Sequence, residues 1–187
     1  MISIASLWLP ILLSAVFVFI ASALAWTVLP HHKSDYKPMR DEDRVQAALQ
    51  DQHLTPGQYM FPWAMGSDLK QPEVIAKFQN GPVGMLTVWP NGIPNMGKAM
   101  GLSFVYYLVV SVLVAYVASR TIDGGADYLS VFRIVGVVAG LTYAGAYVPD
   151  AIWFGRPWPG TLKNILDALV YGLLTAGTFG WLWPSGM

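Results

Sequence analysis

Four long apolar stretches are the feature that most constrains how this 187-residue chain can fold. They cover about residues 7–29, 99–119, 130–148 and 161–183, and a helix needs roughly 20 predominantly apolar residues to cross a bilayer. Only 12% of the residues are charged, which is about half the fraction found in ordinary soluble domains. We therefore expect an all-α membrane protein with four transmembrane helices.

Tryptophans bracket the first of these stretches. Trp8 and Trp26 lie 18 residues apart, about 27 Å along a helix, which is close to the hydrocarbon thickness of a bilayer. They are therefore expected to anchor the helix at the two interfaces. The competing interpretation is a cleaved signal peptide, but the apolar region is too long and no basic residue precedes it. We expect a retained helix.

The basic residues predict the orientation of the four helices. Nine of the eleven lysines and arginines fall in the predicted first and third loops, whereas only Arg120 and Arg133 lie on the opposite side. Loops on the cytoplasmic side carry an excess of basic residues. The long first loop is therefore predicted to be cytoplasmic, with both termini on the periplasmic side.

The first loop, residues 30–98, separates the first helix (1–29) from the other three (99–187) and has structure of its own. Its sequence predicts short helices at 41–49 and 72–78 and short strands at 58–63 and 85–89, hence a small α+β element. An element of this size is marginal as an independent domain. Phe61, Trp63 and Trp89 either contact the membrane or a partner, or form the element's own core.

Small residues recur at a spacing of four in the last two apolar stretches. This spacing brings small side chains onto one helix face and allows two membrane helices to approach closely. Because the connection between these stretches is short, we expect them to pack as an antiparallel hairpin. Glycine is also frequent in membrane helices generally, which is the alternative explanation. The predicted packing residues are Gly136, Gly140, Ala144, Ala168, Gly172, Ala176 and Gly180.

Aromatic residues flank the same helices. Tyr143, Tyr147, Trp153, Trp158 and Tyr171 either form a groove for a lipid or quinone, or are interfacial belt residues and packing side chains. The full set expected to contact the interface or a partner is Trp8, Trp26, Phe61, Trp63, Trp89, Trp153, Trp158, Trp181 and Trp183.

Missing residues exclude several kinds of chemistry. The chain has no cysteine, which excludes disulfides, thiolate metal sites and iron–sulfur clusters. Its three histidines, His31, His32 and His53, all lie outside the apolar stretches, so none is placed to ligate a haem or chlorophyll within the bilayer. We expect no cofactor ligated by this chain, although lipid, quinone or pigment contact stays open. The balanced net charge argues against nucleic-acid binding.

A few ionisable residues near the ends of the apolar stretches are candidates for a polar site, because such residues are costly inside a membrane. Asp150 can pair with Arg156, and Lys163 with Asp167 four residues further on. His31 and His32 adjoin Asp35, but neighbouring side chains point in different directions on most backbones. We therefore expect headgroup contacts rather than metal ligands there. The speculative polar site comprises His31, His32, Asp150, Arg156, Lys163 and Asp167, with Asp167 the deepest acid.

Three segments carry a resemblance to other proteins. SLWLPILLSAVFVFIAS followed by LPHHKSDYK, the central GPVGMLTVWPNGIPNMGKAMG and the closing LLTAGTFGWLWP resemble an uncharacterised family of bacterial four-helix inner-membrane proteins. The similarity runs along nearly the whole chain. It implies a bacterial inner-membrane location and carries no established activity, cofactor or catalytic residue.

These features favour a protein that packs rather than reacts. We expect a non-catalytic accessory subunit of a larger membrane complex, such as a photosynthetic reaction centre with its antenna or a respiratory electron-transport assembly. Its partners would be membrane lipids and other membrane subunits. The alternative is a small interfacial enzyme or a lipid- or quinone-binding protein. A small transporter is a further alternative, disfavoured because the apolar stretches lack obvious polar faces or an inverted repeat.

Overall fold

The structure is a computed structural model that describes residues 2–185, and it is mostly helical. Met1 and residues 186–187 lie outside the described residues. The prediction that both chain ends are periplasmic falls on these residues. The described chain forms two compact units. One combines the chain up to Tyr36 with the chain from Asn95 onward, and the other is Lys37–Pro94.

Three helical segments of the first unit are long and apolar enough to cross a membrane: Ile4–Thr27, Met96–Thr121 and Tyr128–Phe154. The first consists of a 3-10 turn, Ile4–Leu7, followed by helix α1, Trp8–Thr27. The second is helix α4, Met96–Thr121. The third combines helices α5, Tyr128–Ala144, and α6, Tyr147–Phe154. Three of the four predicted spans are therefore present as candidate membrane helices.

The fourth predicted span forms helix α7, Trp158–Trp181. Its 24 residues are long enough to cross a bilayer, but it is not among the helices apolar enough to do so. The reason lies in its first half, where Lys163, Asn164 and Asp167 interrupt the apolar sequence. Length and composition therefore do not confirm a fourth span.

The third span continues past its predicted end. The sequence predicts that it stops before Pro149, whereas α6 begins at Tyr147 and includes Pro149 in its first turn. A proline is tolerated there because the backbone N–H groups of a first turn have no partner within the helix. The break between α5 and α6 falls at Gly145, so the helical segment is interrupted rather than ended.

The core of the first unit lies between α1, α4, α5 and α7. Its fully buried side chains include the valines Val18, Val114 and Val135 and one aromatic residue, Phe179. A hydrogen bond inside it joins two of the helices: the buried Ser14 hydroxyl of α1 donates to Ser111 Oγ of α4 at 3.0 Å. Exposed leucines, valines and isoleucines cover the outer faces of these helices, as expected for surfaces that meet lipid.

Helices α5 and α7 pack closely where glycines meet. A Cβ atom on Gly172 would lie 3.0 Å from Gly140 Cα, and one on Gly136 would lie 3.4 Å from Ala176 Cβ. Further along α7, a Cβ atom on Gly180 would lie 2.7 Å from the ring of Tyr128. At Gly172 only a hydrogen atom fits between the two backbones.

The second unit contains both predicted helices and both predicted strands, with slightly shifted ends. They are α2, Glu42–Asp51; β1, Gly57–Phe61; α3, Pro72–Asn80; and β2, Gly84–Val88. Asp41 caps α2 by accepting the Arg44 backbone N–H at 3.1 Å. Strands β1 and β2 pair antiparallel, with Gly57 opposite Val88 and Phe61 opposite Gly84.

Candidate functional site

A 3-10 turn, Pro30–Ser34, follows α1 and positions two adjacent histidines. Pro30 occupies the first position of the turn, where its missing N–H is not needed. His32 is buried, and its ring stacks on Trp26 with centroids 3.9 Å apart and planes 3° apart. The ring orientation of His32 is therefore held by the last full turn of α1.

Both histidines reach Asp167 on α7. His31 Nε2 lies 3.2 Å from Asp167 Oδ1, and His32 Nε2 lies 2.8 Å from Asp167 Oδ2. Each imidazole contacts its own oxygen, so the two rings share one carboxylate. The expectation that the two side chains point in different directions is therefore wrong.

A second carboxylate completes the arrangement from the other side of His32. His32 Nδ1 lies 2.6 Å from Asp35 Oδ2, while Lys163 Nζ on α7 donates to Asp35 Oδ1 at 2.5 Å. Lys163 also donates to Ser34 Oγ at 2.8 Å. We call His31, His32, Asp35, Lys163 and Asp167 the His–Asp cluster. It joins the turn after α1 to the first half of α7.

The contacts of the cluster shift the pKa values of His32 and Asp35. Burial by itself lowers the pKa of His32, but hydrogen bonds to Asp167 and Asp35 outweigh it and raise that pKa above its ordinary value. The hydrogen bond from Lys163, followed by the one from His32, lowers the pKa of Asp35 against the opposing effect of burial. Both shifts favour the charged form of the group concerned.

Of the two expected ion pairs, Asp150–Arg156 is present and Lys163–Asp167 is not. Asp150 and Arg156 pair with each other at 3.0 Å on an exposed surface, and within residues 2–185 neither is bonded to the His–Asp cluster. Lys163 does not pair with Asp167 along α7. Both oxygens of Asp167 already face histidines, and the lysine reaches Asp35 instead.

Two contacts of this site are not predicted from the sequence: those of Ser34 and of Asp35 with Lys163. The available signal was the spacing: Asp35 follows His32 by three residues, which places the two side chains on one side of a tight helical turn. Nothing local in the sequence indicates that α7 supplies the remaining partners, which lie more than 120 positions away.

Three ligand atoms of the cluster converge as a metal site requires. One donor atom each from His31, His32 and Asp167 lie within 4.8 Å of one another. Side-chain exposure is 32% for His31 and 4% for His32, so the site is open on the His31 side and closed behind His32.

Tyrosines form a second polar group, inside the helices. The rings of Tyr143 and Tyr171 are 5.8 Å apart and both lie 6.1–6.2 Å from Tyr107. The hydroxyls of Tyr143 and Tyr171 are buried and have no hydrogen-bond partner among the described residues. Trp153 and Trp158 are exposed instead, so the five aromatic residues of the predicted groove do not line one common surface.

The predicted contact residues of the second unit are at its surface. Phe61, Trp63 and Trp89 are 43%, 71% and 66% exposed, which overturns the interpretation that they form the interior of this unit. Met60 and Met85, which lie opposite each other in the sheet, are exposed as well. Within 37–94, all of which the structure describes, no residue is buried.

Most of the remaining tryptophans are also exposed. Trp8, Trp26, Trp153, Trp158 and Trp181 each have half or more of their surface accessible. Trp183 differs, because it packs partly against the core and its indole N–H donates to the Asp123 carbonyl at 3.0 Å. Exposure of these residues is compatible with lipid and with protein contact alike.

Comparison with known proteins adds no family. No protein-family model matches the chain, and neither a curated protein nor a solved structure is significantly similar to it. The function is therefore argued from the residues themselves.

Proposed function

We propose that this chain is a non-catalytic accessory subunit of a larger bacterial inner-membrane complex, which it joins through the unit Lys37–Pro94. One observation carries the proposal: no side chain of this unit is fully buried, while Phe61, Trp63 and Trp89 are exposed. A small folded unit is stabilised mainly by apolar surface removed from water. A unit whose apolar side chains are at most partly buried therefore gains stability from a surface to lie against.

The composition of the exposed surface favours a protein as that partner. Aromatic residues and methionine are enriched in protein–protein interfaces, and this surface offers Phe61, Trp63, Trp89, Met60 and Met85. Six acidic side chains match five basic ones within residues 37–94, so no excess of positive charge attracts the unit to anionic lipid headgroups.

The proposal includes four membrane crossings. Lys163 and Asp167 are the main obstacle to a crossing by α7, since isolated charges in a bilayer are expensive. In the His–Asp cluster Lys163 meets Asp35, and Asp167 meets two histidines, so these charges enter the helix bundle paired. Four crossings place the 37–94 unit in the cytoplasm and both termini in the periplasm, following the distribution of basic residues.

A photosynthetic assembly and a respiratory electron-transport assembly are the two kinds of complex that we predict.

Purification from native membranes in mild detergent tests the proposal. The wild-type chain should elute with a second membrane protein in a fixed stoichiometry, and the double variant Trp63→Ala, Trp89→Ala should lose that protein while its helix content is unchanged. Trp153→Ala is the matched control, because Trp153 is a comparably exposed tryptophan (77%) on a candidate membrane helix. A wild-type protein that elutes alone and monodisperse contradicts the subunit role.

A second candidate, a small interfacial enzyme or a lipid- or quinone-binding protein, is favoured by the His–Asp cluster. This role requires that the cluster meets a ligand rather than only joining two helices. Asp167→Asn would then abolish an enzymatic activity, or the binding of a ligand, that the wild-type protein shows without a partner. Asp150→Asn, which alters an exposed ion pair, would leave that activity or binding intact.

A further inference from the structure

We propose that His31, His32 and Asp167 bind a divalent first-row transition metal of the zinc class. This site is independent of the proposed subunit role, because all three ligands belong to the helical unit and none to the 37–94 unit. The proposal replaces the expectation that the two histidines contact lipid headgroups rather than a metal ion.

The ligand atoms lie close enough together for side-chain movement to bring them around one metal ion. Bonds of about 2.0–2.1 Å to nitrogen and oxygen in tetrahedral geometry place neighbouring ligand atoms about 3.3 Å apart. Here each imidazole Nε2 atom lies near its own oxygen of Asp167, at 3.2 Å for His31 and 2.8 Å for His32, and the three donor atoms lie within 4.8 Å of one another. The widest separation therefore has to close by up to about 1.5 Å when an ion binds.

The surroundings of His32 are those of a metal-ligating histidine. Such a histidine usually donates its second ring N–H to a carboxylate, which fixes the tautomer and the ring orientation. His32 Nδ1 faces Asp35 at 2.6 Å, and Asp35 is held in turn by Lys163. Trp26 stacks on the ring and restricts its rotation. The Nε2 atom of His32 is thereby aimed at Asp167.

His31 is the residue that an ion-pair network alone does not explain. Both carboxylates already have other partners, because His32 lies between Asp35 and Asp167 and Lys163 donates to Asp35. His31 nevertheless turns its Nε2 atom toward Asp167, at 3.2 Å. A third nitrogen or oxygen donor at this position is what a metal ion needs.

The ligand types select the class of metal. Two imidazoles and one carboxylate suit zinc, cobalt, nickel, copper or iron, whereas calcium and magnesium prefer oxygen ligands throughout. Three protein ligands leave a fourth position of a tetrahedral ion for water or another ligand. The 32% exposure of the His31 side chain leaves that position open on its side.

Metal titration of the full-length protein in detergent or nanodiscs tests the inference. After treatment with a chelator, Co²⁺ is added and its visible absorption recorded, and Zn²⁺ affinity is measured by calorimetry. We expect one equivalent of either ion and the intense visible bands of four-coordinate Co²⁺. His31→Ala and Asp167→Asn should each weaken binding by about 10-fold or more, and Asp35→Asn by about 10- to 100-fold, as for other residues that orient a ligand.

Two variants outside the cluster serve as matched controls. His53→Ala removes the remaining histidine of the chain, and Asp150→Asn removes a carboxylate of an exposed ion pair; both should bind metal as wild type does. Circular dichroism establishes that each variant keeps its helices. Asp35→Asn retains all three ligands and replaces any ligand variant that fails to fold. Equal affinities in wild type, His31→Ala and Asp167→Asn, or binding lost with His53→Ala, would overturn the site.

Discussion

His32 is the residue on which the candidate site depends. Its two ring nitrogens face the carboxylates of Asp35 and Asp167, and its ring is packed on Trp26. Lys163 and His31 are the other titratable groups around it. A buried histidine between two carboxylates is stabilised when it is protonated, so the cluster connects the stability of the helical unit to pH.

Without metal, the thermal stability of the protein should fall on the alkaline side. Because the folded state raises the pKa of His32, the stability this residue contributes is complete below its unfolded pKa and disappears as the pH rises through the folded value. Thermal unfolding of chelator-treated protein, followed by circular dichroism between about pH 4 and pH 9, measures this decline. His32→Gln should flatten it. An unchanged alkaline decline in that variant would assign it to another group.

On the acidic side, the expected effect has the opposite sign and more than one source. The pKa of Asp35 is lowered by its hydrogen bonds with Lys163 and His32, so its contribution is present above its unfolded pKa and is lost as the pH falls through the folded value. The pKa of Asp127 is lowered as well, chiefly by hydrogen bonds from Ser130 at the start of α5. The alkaline decline is therefore the diagnostic one for the cluster.

Among the elements, the pair α5 and α7 is the closest-packed. The spacing of small residues in the sequence favours an antiparallel pair, and the structure brings Gly172 of α7 onto the backbone of Gly140. Close approach of this kind allows dispersion contacts between backbones, which stabilise helix pairs where lipid provides no hydrophobic drive. The contact also holds in place the helix that carries Asp167 and Lys163.

Gly172→Ala should destabilise the protein, and Gly140→Ala should have little effect. A methyl group on Gly172 would meet Gly140 Cα at 3.0 Å and N at 3.1 Å, whereas one on Gly140 would have no atom within 4 Å. Overpacking against backbone costs about 1–3 kcal/mol. Thermal unfolding in detergent compares the two variants, which change the same residue type in the same helix pair. Equal effects would show that this contact is not limiting.

For the molecule as a whole, the proposed topology depends on the number of membrane crossings. Ile4–Thr27, Met96–Thr121 and Tyr128–Phe154 can span a bilayer by length and composition. Whether α7 follows decides on which side the chain beyond Trp181 lies. The absence of cysteine makes this measurable, because an introduced thiol is the only one in the protein.

Cysteines at two positions distinguish three crossings from four. With four, Ser67→Cys in the 37–94 unit and Ser185→Cys after α7 lie on opposite sides of the membrane, and a membrane-impermeant maleimide labels only Ser185→Cys from outside. With three, both positions lie on the same side. Labelling of intact cells, with lysed cells as the control for reactivity, gives the answer. Protection of both cysteines in intact cells would contradict the fourth span.

Most helices and both strands could be predicted from local sequence patterns. Runs of apolar residues predicted the three candidate membrane helices. A helix needs about 20 predominantly apolar residues to cross about 30 Å of hydrocarbon, and such long runs are easily recognised in a sequence. Local signals predicted α2 and α3 as well, through Asp41 as a helix cap and Pro72 in a first turn. The absence of cysteine from the sequence likewise excludes disulfides and thiolate metal sites.

Only the tertiary structure decided which of these residues meet. His31 and His32 contact Asp167 across 136 and 135 positions of sequence, and Lys163 turns to Asp35 rather than to its neighbour on α7. The exposure of Trp63 and Trp89 is likewise a property of the folded unit that their local sequence does not reveal. Hydropathy and turn signals act over a few residues, whereas a shared carboxylate depends on how two distant segments are packed together. That packing created the His–Asp cluster.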